Sequence, residues 1–404
     1  MNRKEFMQGL LGAAGLGAVG ARSQPRDAAF RPNATKRPRA IAMWDFSWLE
    51  RRWTGAGFEH WEQALDELVE RGYDAVRIDA YPHLIAANPS KDWLLKPHWD
   101  TQDWGAPTLV RVRVLPELTE FLALCRDRDV RVGLSSWFRE DEDNIRLQID
   151  TPEKLAAVWI AALEAIDKAG LLAVVLYVDL CNEWPGDTAA FVPPPRMQWS
   201  DGRSIHWMRT ATAAVRAQFP ALPLVFSTDL DRVEVFTEVD PSFADAIEHH
   251  LWMAGEHDDE FNRRVGYSYE RFSETGYHNL QLKGAALYAE MPQYWRRLLT
   301  DKIARLADVA ERLRKPLMTT ECWAAVDYKD WPMLPWDWVK ELCELGTARA
   351  SATGQWVAIA TSNFCAPQFR GMWGDVPWHR RLTEAIKAGH IDNNLQSGRL
   401  WERL

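Results

Sequence analysis

Residues 173–184 read AVVLYVDLCNEW, an apolar run interrupted only by Asp179 that opens at its end into Asn182, Glu183 and Trp184. Aliphatic and β-branched residues in an unbroken run mark a strand buried on both faces. Just before it, residues 152–168 carry apolar side chains at helical spacing, and Gly170 stops that helix. A helix, a short turn, a buried strand and a polar strand end thus form one unit. The same unit recurs along the chain.

Working outward, eight strands are predicted at 40–46, 75–80, 130–135, 173–180, 222–227, 246–250, 316–320 and 356–361. Helical patterns over 59–71, 115–128, 152–168, 295–314 and 378–388 alternate with them. Such alternation indicates a parallel sheet with crossover helices. Eight strand–helix pairs and no glycine-rich phosphate-binding turn favour an α/β fold of the closed (β/α)8 TIM-barrel type over an open doubly wound sheet. The barrel is expected to occupy residues 39–404 as one domain. Long insertions at 81–116, 184–203 and 252–294 each follow a strand, which places them at the C-terminal face where such barrels build their sites.

A chain of 404 residues, 47% hydrophobic, suits one barrel with loop insertions. It contains no apolar stretch of 18 residues, so no membrane-spanning helix is expected. The net charge of −9 argues against nucleic acid and anionic membranes as partners, since both require basic patches. Cys125, Cys181, Cys322, Cys343 and Cys365 lack metal-ligand spacing and are expected to be small buried hydrophobes. The 22 tryptophans stand out. Trp93, Trp99, Trp104, Trp184, Trp199, Trp331, Trp336, Trp338, Trp373 and Trp378 lie in segments rich in Pro, Gly and Asp. Several of these are expected to line a cleft and stack on sugar rings, because loops sit at the surface.

The N-terminus reads as an export signal over residues 1–21: Arg3 and Lys4 precede the small apolar run MQGLLGAAGLGAVG. Lys4 stands where a twin-arginine signal has its second arginine, so the export route stays open. Residues 22–38, with Pro25, Pro32 and Pro38, read as a linker. An exported protein, periplasmic or extracellular, is the expectation.

The strand ends carry the chemistry. The second strand presents Arg77 and Asp79, the fourth Asn182-Glu183, the sixth Glu248-His249-His250-Leu251-Trp252, and the seventh Thr320-Glu321-Cys322-Trp323. Charges entering a barrel mouth are costly unless paired, so a shared site is their natural reason. Strands four and seven lie across the barrel from one another, which lets Glu183 and Glu321 face each other. Arg77 is expected to keep Glu321 ionised, while a less polar setting keeps a proton on Glu183.

These motifs resemble those of the clan of (β/α)8 retaining glycoside hydrolases that includes cellulases, above all the cellulase-like glycosyl hydrolases, over residues 40–388. The resemblance implies that Glu183 is the acid/base and Glu321 the nucleophile. It further implies that Asn182 contacts a sugar hydroxyl and that Arg77 orients Glu321. No metal or organic cofactor is implied, and the partner is a carbohydrate substrate. Two departures stand out: Trp252 occupies the place of a tyrosine that would bond the nucleophile, and Ser135-Ser136-Trp137 lacks a histidine near the third strand's end. Tyr81 is one candidate replacement for the missing tyrosine. His250 reads as either a site or a structural histidine. Trp44 and Asp45 could bind sugar or cap the barrel, and Trp323 and Trp356 could be sugar platforms or core.

Two other functions remain open. His249, His250, His257, Asp258 and Asp259 could serve a metal-dependent barrel hydrolase or sugar isomerase. A non-catalytic carbohydrate-binding barrel would keep the tryptophan-lined cleft without needing both glutamates. The sugar, the linkage, the choice between internal and terminal cleavage, and the oligomeric state are not encoded in any readable pattern.

Overall fold

The computed structural model describes residues 36–98, 103–186, 191, 192, 195–267, 274–326, 328, 329 and 334–404. The expected export signal at 1–21 lies outside the described residues, as does the linker apart from residues 36–38. Trp99 and Trp331 also fall outside.

The main sheet is wholly parallel. We number its strands β1 (Arg39–Asp45), β2 (Ala75–Asp79), β3 (Arg131–Ser135), β4 (Val175–Asp179), β5 (Leu224–Val225 and Ser227–Thr228, two halves of one strand), β6 (Ile247–His249), β7 (Leu317–Thr319) and β8 (Trp356–Ala360). Sequence neighbours pair from β1 to β4, and β1 pairs with β8. The first half of β5 pairs with β4 and the second half with β6, so the ring closes through one strand that breaks at Phe226. This is the expected TIM barrel.

The interior is filled, as barrel geometry requires. Tyr177 of β4 lies over Gly133 of β3, where an added Cβ would stand 2.5 Å from the phenol ring. Outside, the crossover helices are α1 (Trp61–Glu70), α2 (Val114–Asp127), α3 (Pro152–Lys168), α4 (Gly202–Gln218), α7 (Pro292–Leu313), α8 (Asp337–Ala352) and α9 (Val376–Ala388), with α5 (Glu256–Val265) and α6 (Glu274–Glu290) built from the 252–294 insertion. The start of α3 shows why its sequence folds so. Thr151 accepts from Lys154 N, Pro152 takes the first turn, and Leu155, Trp159, Leu163 and Ile166 form the buried stripe. All five cysteines are buried and unbridged.

The crossover from β5 to β6 departs from the eightfold pattern. It contains only the 3₁₀ turns Val233–Glu238 and Pro241–Phe243, and α7 packs against the first of them. Asp240 caps Ser242 N and Pro241 takes the first turn, a start like that of α3, but β6 begins at Ile247 and leaves no room for a helix to follow. The insertion after β2 forms the helix Pro82–Ala87 and an antiparallel pair, Trp93–Leu95 with Val110–Val112. Above β6 and β7 a second parallel pairing, Leu251–Trp252 with Cys322–Trp323, extends both chains toward the mouth. It sets His250 beside Glu321, and Leu251 N donates to the Glu321 carbonyl at 3.0 Å.

Candidate active site

Glu183 leaves the end of β4 with φ +49, in the left-handed region that most residues avoid. Neighbouring strands hold it there. Its N–H donates to Ser227 Oγ at 2.9 Å, and Asn182 N and Trp184 N donate to the carbonyls of Ser136 and Ser227. Asp179 in turn accepts from Ser135 Oγ, Ser227 N and Ser227 Oγ, so this carboxylate anchors the loop that carries Glu183. Asp79 does the same for the β2 end through Tyr81 N and Trp137 N.

His250 Nδ1 stands 2.9 Å from Glu183 Oε1 and 3.5 Å from Glu321 Oε1. Oxygens of the two carboxylates lie within 4.8 Å of each other. The Glu183 side chain is 19% exposed and that of Glu321 is 3% exposed, so the pair is reached from Glu183's side.

Arg77 is fully buried beneath them. Its Nε lies 3.0 Å from Asp45 Oδ1, and Nη1 donates to Thr320 Oγ1 at 2.6 Å. Nη2 reaches both Asn182 Oδ1 and, at 3.1 Å, Glu321 Oε1. Asp45 is locked from its other side by the Trp137 indole N–H at 2.9 Å. Asp45 is therefore placed to orient Arg77, and its burial turns it away from solvent. The β3 position that lacks a histidine thus holds Asp45 through an indole instead.

Burial pushes the Glu321 carboxyl up to about 8, against the pull of His250 and Arg77 and with further push from Glu183 and Asp45. The expectation that Arg77 would keep Glu321 ionised meets the opposite effect, because desolvation outweighs the guanidinium. Burial likewise raises Asp45 to about 6, although Arg77 opposes it. For His250, burial disfavours charge, yet Glu321, Glu248 and Glu183 together hold the ring well above the ordinary imidazole range.

Three tryptophans read as either sugar contacts or structural residues lie in the core. Trp44, Trp323 and Trp356 are buried, and their indole N–H groups donate to Cys365 O, Ala360 O and Thr319 Oγ1. Trp356 is the first residue of β8, so it lies at the end of the strand away from the mouth. Of the loop tryptophans, Trp93, Trp104, Trp184, Trp199, Trp338, Trp373 and Trp378 are also core, while Trp336 is half-buried. Proline- and glycine-rich segments are here packed down over the barrel, which is why composition misled. Tyr81 spends its hydroxyl on Phe46 O and Glu50 Oε1 rather than on Glu321.

Sequence reasoning left Glu248, Thr320, Asn363 and Trp252 without roles. Glu248 accepts from Thr320 N and Oγ1 and reaches His250 Nε2 at 3.2 Å. Asn363 Oδ1 accepts from Cys322 N and from the half-buried Trp252 indole, which meets the His250 ring edge-on. Glu248 was legible as a charge at a strand end; Asn363 carried no such signal.

Glu183, His250 and Glu321 are the one trio among the described residues with metal-ligand spacing. Its setting suits a proton better than a metal, because burial raises the Glu321 carboxyl and the carboxylates charge the ring. His249 turns away to Thr228 Oγ1 and burial keeps it neutral, while His257 lies exposed in the first turn of α5.

A protein from Parabacteroides distasonis ATCC 8503, named as a candidate glycoside hydrolase, is 53% identical, with 92% of this chain and 100% of that one covered at a TM-score of 0.89. Two distant structures share the fold. The cellulose synthase subunit Z from Clostridioides difficile is 12% identical, covering 87% of this chain and 99% of that one at a TM-score of 0.52. The endo-β-1,4-mannanase from Thermotoga petrophila is 8% identical, covering 88% and 78% at a TM-score of 0.51. No curated protein sequence matches the chain. The profile described as sugar-binding cellulase-like matches residues 41–387, nearly the whole barrel, and the chain belongs to this cellulase-like family of (β/α)8 glycoside hydrolase folds.

Proposed function

We propose that the protein is a retaining glycoside hydrolase that cleaves an oligo- or polysaccharide by double displacement, with Glu183 as acid/base and Glu321 as nucleophile. The observation that carries this reading is the approach of the two carboxylates to within 4.8 Å at the C-terminal mouth. Retaining enzymes hold their pair about 5–5.5 Å apart, whereas inverting enzymes leave about 6.5–9.5 Å for a water. Glu183, the more exposed, is placed to meet a leaving group and then water. Glu321, beneath it, is placed to meet the anomeric carbon.

In the first step Glu321 bonds to the anomeric carbon as the glycosidic C–O bond breaks, and Glu183 gives its proton to the departing oxygen. In the second, Glu183 takes a proton from water, whose oxygen displaces Glu321 and leaves the sugar with its original configuration. Both steps need one proton shared by the pair, on Glu183 when the sugar is seated. Arg77, which contacts Glu321, favours that placement, while His250 lies against both carboxylates.

A second reading is a sugar-binding barrel without turnover, favoured by the 3% exposure of Glu321. Assay on a panel of aryl glycosides and polysaccharides separates the two. Turnover with retained configuration, abolished by Glu183→Ala and by Glu321→Ala in folded protein, supports the hydrolase. Glycan binding with no turnover on any substrate supports the alternative. The N-terminal segment is proposed to export the enzyme; the mature N-terminus of protein recovered outside the cytoplasm tests that.

A further inference from the structure

His250 is surrounded on both ring nitrogens. Nδ1 faces Glu183 and Glu321, and Nε2 faces Glu248 Oε2 at 3.2 Å. A neutral imidazole has one N–H and can serve a carboxylate at only one nitrogen; an imidazolium serves both. Arg77 Nη1 opposes this, because it stands 2.8 Å from the same Nε2 and would donate to a lone pair there. That amino group has another acceptor in Thr320 Oγ1. Glu248, in contrast, spends Oε1 on Thr320 N and Oγ1, while its buried Oε2 has no hydrogen bond and meets the ring as an ionic contact at 3.2 Å.

We propose that Glu248 is a positioning residue: its carboxylate holds a proton on His250, and the resulting imidazolium favours the anionic form of Glu321. The charge census around the ring agrees. Arg77 from β2, paired with Asp45 from β1, is the one other cation in contact among the described residues. Against it stand the three carboxylates that touch the ring: Glu183 after β4, Glu248 on β6 and Glu321 after β7. His249 beside it is neutral. Burial works against charge on Glu248 as well, yet His250 and Arg77 bring that carboxyl below its ordinary range. The two side chains are buried, and the attraction between opposite charges there is little screened.

The effect on turnover rests on Glu321 being the nucleophile; the protonation state of His250 does not. The test uses full-length protein labelled with ¹⁵N-histidine. In the native protein at neutral pH both ring nitrogens of His250 are expected to carry protons. In Glu248→Gln the amide can keep Thr320 through its oxygen and donate to Nε2, so the ring becomes neutral with its proton on Nδ1. A neutral His250 in the native protein overturns the proposal whatever the variant does, and so does a charged ring in folded Glu248→Gln. In the kinetic arm, kcat is expected to fall roughly ten- to hundredfold with KM little changed, as for other partners that orient a reacting group. If neither protein turns over any glycan, the hydrolase reading fails while the NMR result still decides the role of Glu248.

Discussion

Arg77 Nη2 lies 3.1 Å from Glu321 Oε1, with both side chains buried at the base of the barrel mouth. The guanidinium reaches Asp45, Asn182, Thr320 and Glu321 at once, a spread that only a planar fork with several donors can manage. Arg77→Met is expected to lower stability by about 3–5 kcal/mol, because it leaves buried carboxylates uncompensated. Arg77→Lys should lose less, since it keeps a charge but not the fork. Denaturant unfolding at two pH values checks the cause. The Met deficit should shrink at acid pH, where Asp45 and Glu321, raised to about 6 and about 8, both hold protons. A deficit independent of pH would point to lost packing instead.

Glu321 itself makes a separate demand on stability. Its carboxyl is raised from 4.5 to about 8, chiefly by burial. Across that window the folded chain keeps a proton that the unfolded chain has released. The contribution is thus fully present below 4.5 and is lost as pH climbs through about 8. Glu321→Gln cannot ionise, so its melting temperature should fall less than that of the native protein over this range. The gain from the substitution should grow with pH and vanish in acid. Parallel curves for the two proteins would show that Glu321 is not held in its neutral form.

The strands were legible because barrel strands are buried on both faces and so read as unbroken apolar runs, as in 173–180. Position 226 shows the limit: β5 breaks there while its sequence runs on as apolar, since the break belongs to closure of the ring. The helix expected in each crossover is missing between β5 and β6, where two short 3₁₀ turns make up the link. At the site, Glu183, Glu321, Arg77 and Asn182 were legible because charge and amide at strand ends have few other reasons to be there. Asn363 was not, because its work is to accept from Cys322 N and Trp252, contacts made by chain ends far apart in sequence. Nor could sequence tell that Glu248 would face His250 rather than solvent. A period-two pattern gives the face of a strand, and its last residues escape that pattern.

The tryptophans give the sharpest contrast between composition and place. Trp356 opens β8 with its indole on Thr319, and Trp44 and Trp323 are likewise sealed in the core. Trp356→Ala is expected to cost about 3–5 kcal/mol, the usual range for emptying a large aromatic site in a packed interior. Trp356→Phe should cost less and leave glycan affinity unchanged, since neither ring would reach the mouth. Trp252 is the opposite case: it is half-buried, beside the His250 ring, and held by Asn363. Trp252→Ala should change stability little and weaken glycan binding severalfold, because this half-buried indole meets the ring of His250, which touches both glutamates. Calorimetric titration with oligosaccharides, run beside thermal melts of each variant, reads both quantities. Weakened binding in folded Trp356→Phe, with unaltered binding in Trp252→Ala, would reverse the assignment and place the sugar on the far side of the barrel from His250.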